Sequence, residues 1–178
     1  MEFIAFLLIA AGVILLALWL FIVRQGEAKF DFLVDQRLPF VLQEASESRA
    51  VFTTTIPFVN SGTQDGTIND CFPRHLMPYE QYDACHIESR LTIGSLQRQD
   101  GYWESNIVFK KHSDTIILTL IFTAKQGDIA QALQTLPDMP VEIVHQVVSR
   151  SDWYLTKQRL VVPAAEIQAA LKQTAGRQ

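Results

Sequence analysis

The chain contains no G-x-S-x-G elbow, no phosphate-binding P-loop and no G-x-G-x-x-G fingerprint. Each would have placed a nucleophile or a nucleotide on a recognisable turn, so their absence argues against the common motif-bearing enzymes. Basic residues are few and scattered, and the formal net charge is −4. Nucleic-acid binding needs a basic stripe, which this chain lacks. Low-complexity tracts, long charge runs and internal repeats are also missing. The two cysteines, Cys71 and Cys85, are too few for a disulfide scaffold, and sequence alone leaves a single bridge and two free thiols equally open. There is no Asn-x-Ser/Thr acceptor.

Charge is absent where it matters most. From Phe3 to Val23 no ionisable side chain occurs, and Arg24 follows at once. A helix of that length rises about 1.5 Å per residue and crosses a hydrocarbon core of roughly 30 Å. A cleaved signal peptide would begin with basic residues and end in a small-x-small site. This one begins Met1-Glu2 and ends Leu18-Trp19-Leu20-Phe21-Ile22-Val23, so it reads as a retained anchor. Ala10, Ala11 and Gly12 form a small patch without the second glycine of a dimerisation motif. Arg24, Lys29 and Arg37 lie on the C-terminal side, which by the positive-inside rule points the rest of the chain toward the cytoplasm. Residues 1–23 are thus the expected transmembrane anchor, 24–37 a juxtamembrane stalk that continues the helix, 38–163 a β-sandwich domain, and 164–178 a C-terminal helix and tail.

Beyond Pro39 the texture changes to short runs of Val, Ile, Thr, Phe and Tyr between Gly, Pro, Asn and Asp, as in a sandwich or barrel. Strands are expected near Phe40–Glu44, Ala50–Val59, Gly66–Phe72, Asp83–Ile93, Tyr102–Phe109, Thr115–Ala124, Val141–Ser149 and Trp153–Val161. Alternation is clearest in the fourth, where Cys85, Ile87, Leu91 and Ile93 share one face. The sixth, apolar on both faces, reads as a central strand. Asn60-Ser61-Gly62, Gln64-Asp65-Gly66 and Gln99-Asp100-Gly101 supply residues tolerant of positive φ for the turns. Pro57 cannot donate to a ladder, which predicts an edge or a bulge there. Asp128 with Gln131 makes a capping box for a short helix that Pro137 stops. Pro163 opens a last helix through Ile167, Ala170 and Leu171, which Gly176 ends. The expected fold class is mainly β: an antiparallel sandwich with one inserted helix and a C-terminal helix, behind a single transmembrane helix.

Two candidate constellations stand out. Cys71, His75, Cys85 and His86 are the donor types for tetrahedral zinc, but no C-x₂₋₄-C pair occurs and Cys85 and His86 face opposite sides of a strand. No metal or cofactor is therefore expected. Cys71 is expected on the Thr67/Asn69 face, away from Ile68, so a Cys71–Cys85 bridge would require facing side chains that the alternation does not supply. The second is the segment from Cys71 to Tyr82, in which Pro73 and Pro78 restrict the backbone while Arg74, His75, Tyr79 and Tyr82 offer partner-binding side chains. A crossover that merely closes the sandwich end with Leu76 and Met77 is the plainer reading. Trp103 and Trp153-Tyr154 are expected to pack in the core.

The run Thr54-Thr55-Ile56-Pro57-Phe58-Val59-Asn60, then Gly66-Thr67-Ile68, resembles the opening of Ig-like sandwiches of the LEA-14/WHy type. Ile116–Thr123, the helix Ile129–Leu136 and Asp138-Met139-Pro140-Val141-Glu142-Ile143 follow in that family's order, so the likeness runs from Arg49 to Pro163. Ser61 stands where the family has Pro, and the excursion from Pro73 to Tyr82 is additional. The resemblance implies an Ig-like sandwich with a protective or binding role and no catalytic residues. The expected function is a single-pass, non-catalytic module for protein binding or envelope assembly. Its partners would be the bilayer, through residues 3–23, and a membrane or envelope protein; nucleic acid and small-molecule ligands are not expected. A subunit that associates through its transmembrane helix, and a zinc- or thiol-dependent enzyme, are the rival readings.

Overall fold

The computed structural model describes residues 2–96, 98, 103–150 and 152–175. An N-terminal helix, α1 (Glu2–Arg24), stands apart with every residue but one exposed. It is long and apolar enough to cross a membrane. Gly26 adopts φ +69°, the left-handed conformation that glycine accepts without a Cβ clash, and so stops the helix just past its end.

The segment expected as a helical stalk instead enters the body. Phe30–Phe32 forms β1, whose Phe30 and Phe32 are buried, and a 3-10 turn covers Val34–Gln36. Then follow β2 (Val41–Ala45), β3 (Arg49–Asn60), β4 (Gly66–His75), β5 (Cys85–Ile93), β6 (Asn106–Val108) and β7 (Ser113–Ala124). A short helix α2 (Ile129–Gln134), strands β8 (Met139–Val148) and β9 (Tyr154–Val162), and helix α3 (Ala164–Ala175) complete the chain. The turn expected at Gln99-Asp100-Gly101, the strand start at Tyr102 and the stop at Gly176 lie outside the described residues.

Two antiparallel sheets face each other. One runs β1-β3-β7-β5, with β2 beside the first half of β3; the other runs β6-β4-β8-β9. Their inner faces meet in one apolar core that includes Phe52, Ile56, Phe58, Ile68, Leu91, Leu118, Phe122 and Ile143. The central position expected for the sixth strand is observed, since β7 pairs with both β3 and β5.

Pro57 is neither at an edge nor in a bulge. Its carbonyl accepts from Leu33 N–H at 2.8 Å on the β1 side. A strand residue points its N–H and C=O the same way, so the missing donor faces the gap where β1 ends at Phe58 and β2 has not begun at Thr53. Asn60 and Gly62 also lack the positive φ expected of them. Gly62 is needed for closeness: a Cβ there would lie 2.3 Å from the Glu27 carbonyl oxygen.

A bulge in β4 overturns the expected face of Cys71. Pairing with β8 shifts register between Ile68 and Asp70, so Cys71 turns inward beside Ile68 and Phe72 turns out. The bulged carbonyls find side-chain donors: Trp103 Nε1 reaches the Ile68 oxygen at 3.1 Å and Ser105 Oγ the Asn69 oxygen at 2.9 Å. Trp103 therefore packs half-buried against the core, as expected. Trp153 does not; it is 63% exposed.

Helices α2 and α3 close the end of the sandwich far from α1. Asp128 caps α2 by accepting from Gln131 N–H at 2.7 Å. Glu166 of α3 takes both guanidinium nitrogens of Arg37 and the Phe40 N–H. Arg37 holds the Glu166 carboxyl below its ordinary range.

Candidate protein-binding face

Of the expected loop residues, His75, Tyr79 and Tyr82 come together and Arg74 does not. Arg74 points outward from β4, and His75 is half-buried at 3.4 Å from Ser89 Oγ. Tyr79 is fully presented to solvent at 71% exposure, whereas Tyr82 is buried. The Tyr82 hydroxyl reaches the Ala132 carbonyl at 2.9 Å and Cys85 Sγ at 3.2 Å. Tyr82 thus belongs to the structure of the loop, and the crossover reading describes most of this segment. His75, Tyr79, Tyr82, Cys85 and His86 do border one depression of about 280 Å³. Burial and the neighbouring His86 lower the His75 pKa.

Cys71 and Cys85 are both buried free thiols, so the candidate bridge is not made. They belong to different sheets, β4 and β5. Burial pushes both thiols up, and Asp70 adds to the effect on Cys71. No group of three or more metal-ligating side chains occurs among the described residues.

The arrangement most suited to recognition lies elsewhere, on the outer face of the β6-β4-β8-β9 sheet. Phe72, Leu155 and Val161 stand 44, 59 and 50% exposed, and Ile107 on β6 stands 64% exposed. Among them Glu142 is covered to 3% exposure by Lys157 Nζ at 2.8 Å and Arg159 Nη2 at 2.7 Å. Those two hydrogen bonds, from Lys157 first and then Arg159, hold its carboxyl at about 2. Arg74 sits directly across from Glu142 on β4. One carboxylate thus pairs with two cations, Lys157 and Arg159, while Arg74 stands exposed at the facing register position, and the face keeps positive charge amid apolar side chains.

The opposite sheet differs. Its outer face carries Thr53 and Thr55 of β3, Thr119 and Thr123 of β7 and Thr92 of β5, with an Arg90–Glu88 ion pair. Val51 and Ile121 are buried on that same face and Ile117 is half-buried, so no large apolar side chain of β3, β5 or β7 stands exposed there. Sequence missed the asymmetry because both sheets alternate in the same way. Only the strand order and the β4 bulge bring Phe72 and Arg74 beside Glu142 and Arg159.

No protein-family model matches the chain, and no curated protein does. Among solved structures, it is similar to a Bordetella pertussis protein assigned as ApaA, with TM-score 0.43, 9% identity and coverage of 76% of this chain and 94% of that one. The GAE domain of GGA2p from Saccharomyces cerevisiae gives TM-score 0.38 and 12% identity, over 77 and 98% of the two chains. A structural-genomics target, SoR45, gives 0.36 and 10% over 76 and 86%. Likeness at this level carries no argument about function.

Proposed function

We propose that this protein is a membrane-anchored, non-catalytic module that binds another protein on the outer face of its β6-β4-β8-β9 sheet. The observation that carries the reading is the contrast between the exposed apolar side chains of that face and the covered ones on β3, β5 and β7 opposite. Exposed Phe72, Leu155 and Val161 supply the apolar contact, while Arg74, Lys157 and Arg159 favour a partner surface with carboxylates. α1 supplies the membrane location. The element order shared with LEA-14/WHy-type sandwiches supports a binding role, and the protonated, buried state of both thiols supports a non-catalytic one.

A photo-crosslinker at Leu155 or Phe72 of the membrane-embedded chain should trap the same partner, and one at Thr119 on the opposite sheet should not. Leu155→Glu should reduce capture by tenfold or more, about 1.4 kcal/mol or beyond. Exchanging α1 for an unrelated apolar helix of equal length separates this reading from the rival in which the helix is the interface. Capture that disappears on exchange, or that is equal from both sheets, overturns the proposal.

The charge balance around α1 supports a cytoplasmic body. With Cys71 and Cys85 buried, a cysteine introduced at exposed Glu47 reports the side cleanly. An impermeant thiol reagent should label it only after lysis; labelling of intact cells reverses the topology.

A further inference from the structure

The chain passes from α1 into the body with almost no slack. Arg24 ends the helix, and Ala28 is already buried with its N–H donating to Ser149 Oγ at 3.2 Å. Extended backbone spans at most about 3.5 Å per residue, so the connection covers no more than roughly 14 Å. The body then reaches back along it. Thr63 Oγ1 donates to the Gln25 carbonyl at 2.6 Å, and Arg150 Nη1 donates to the Ile22 carbonyl at 2.5 Å. Ile22 belongs to the uncharged run itself. The β3–β4 and β8–β9 turns therefore sit at the level where the helix emerges.

Two bare aromatic rings stand at that same end. Phe109 is 62% exposed just after β6, and Trp153 is 63% exposed just before β9. These strands are the two edges of one sheet, so the rings are set apart across its width. The amphipathic Trp ring is favoured at the headgroup level beside a membrane span, and an exposed Phe ring gains by burial at the same depth. Basic and acidic groups alternate at this end: Lys110 donates its backbone N–H to Asp65 at 2.8 Å, and Lys29 pairs with Asp31 at 3.3 Å. Net charge does not draw this end to lipid; the rings do.

We infer that this end of the sandwich rests on the bilayer that α1 crosses, with Phe109 and Trp153 seated in its interface. The inference depends on α1 spanning the membrane, and it fixes how the body stands: sheets upright, recognition face turned sideways along the membrane plane. The occupant is the lipid interface.

The test uses the full chain in phosphatidylcholine nanodiscs, with single cysteines at Lys110, Asp152, Leu16 or Glu47 carrying an environment-sensitive dye. The native thiols are buried and do not compete. Lipid brominated near the headgroup should quench the dye at 110 and 152 at least about twofold more than at 47, with little dependence on salt. A Phe109→Ser/Trp153→Ser chain should lose that excess. Quenching at 110 and 152 no stronger than at 47, or quenching unchanged by the double substitution, overturns the inference. Protection of these dyes without lipid quenching, as a second copy would give, overturns it equally. Quenching at 16 by deeply brominated lipid tests the span itself. Its loss removes both readings, whereas its persistence without quenching at 110 and 152 removes only this one.

Discussion

Replacing Asn60 by leucine should destabilise the body by about 4 kcal/mol, read as the urea midpoint of the full chain in detergent. The side chain is fully buried and uses its whole hydrogen-bonding capacity. Its Oδ1 accepts from Lys29 N–H at 3.2 Å and Gly62 N–H at 3.1 Å. Its Nδ2 donates to the carbonyls of Gln64 at 2.9 Å and Val108 at 3.1 Å. One amide thus ties the incoming chain, the β3–β4 turn and the end of β6 into a single knot. Leucine matches the volume and strands all four backbone groups. Asn60→Asp should also fail, because a carboxylate cannot donate to the Gln64 and Val108 carbonyls. A leucine variant within 1 kcal/mol of the parent, on the ordinary scale of one net hydrogen bond, would show that water replaces the amide.

The second large effect is on acid stability. His145 lies in the core of β8, 2% exposed, with neither ring nitrogen hydrogen-bonded in ordinary geometry. Its ring packs tilted against Phe32, with centroids 4.6 Å apart, and it sits across from Cys71 on β4. Burial lowers its pKa from 6.5 to about 4, with the Ile143 backbone opposing slightly. In this window the unfolded chain binds a proton that the folded chain refuses. Stability is therefore complete above about pH 6.5, falls as pH drops toward 4, and levels off below. The loss amounts to about 3 kcal/mol. His75, also lowered, adds a smaller slope of the same sign, whereas Glu142 and Glu166 lose their stabilising charge only at more acid pH. His145→Leu should flatten the decline between pH 6.5 and 4. An unchanged slope in that variant would place the acid sensitivity elsewhere.

Much of this architecture could be read from local pattern. Every expected strand is present, because β-branched and aromatic runs between turn residues are a local signal, and Cys85, Ile87, Leu91 and Ile93 alternate inward as expected. The failures have a common cause in pairing. Three residues, Phe30–Phe32, become a strand only because β3 is there to receive them. The sole local hint was Gly26, a stop signal two residues beyond Arg24. Cys71 changed faces because Trp103 and Ser105 satisfy a bulge more than thirty residues away in sequence. Tyr82 and Tyr79 look alike in sequence, yet one is buried with its hydroxyl on the Ala132 carbonyl and the other stands exposed. The juxtaposition of Phe72 and Arg74 with Glu142 and Arg159 is a property of strand order, which no window of sequence contains.

The clasp between Arg37 and Glu166 joins positions 129 residues apart. At ordinary ribosomal speeds of about 5–20 residues per second, Arg37 waits roughly 6–26 s for its carboxylate to be made. Throughout that interval Phe40 also lacks its acceptor, and the end of the sandwich remains open. The body is consequently expected to finish folding late during synthesis, with that end open to proteases until α3 arrives.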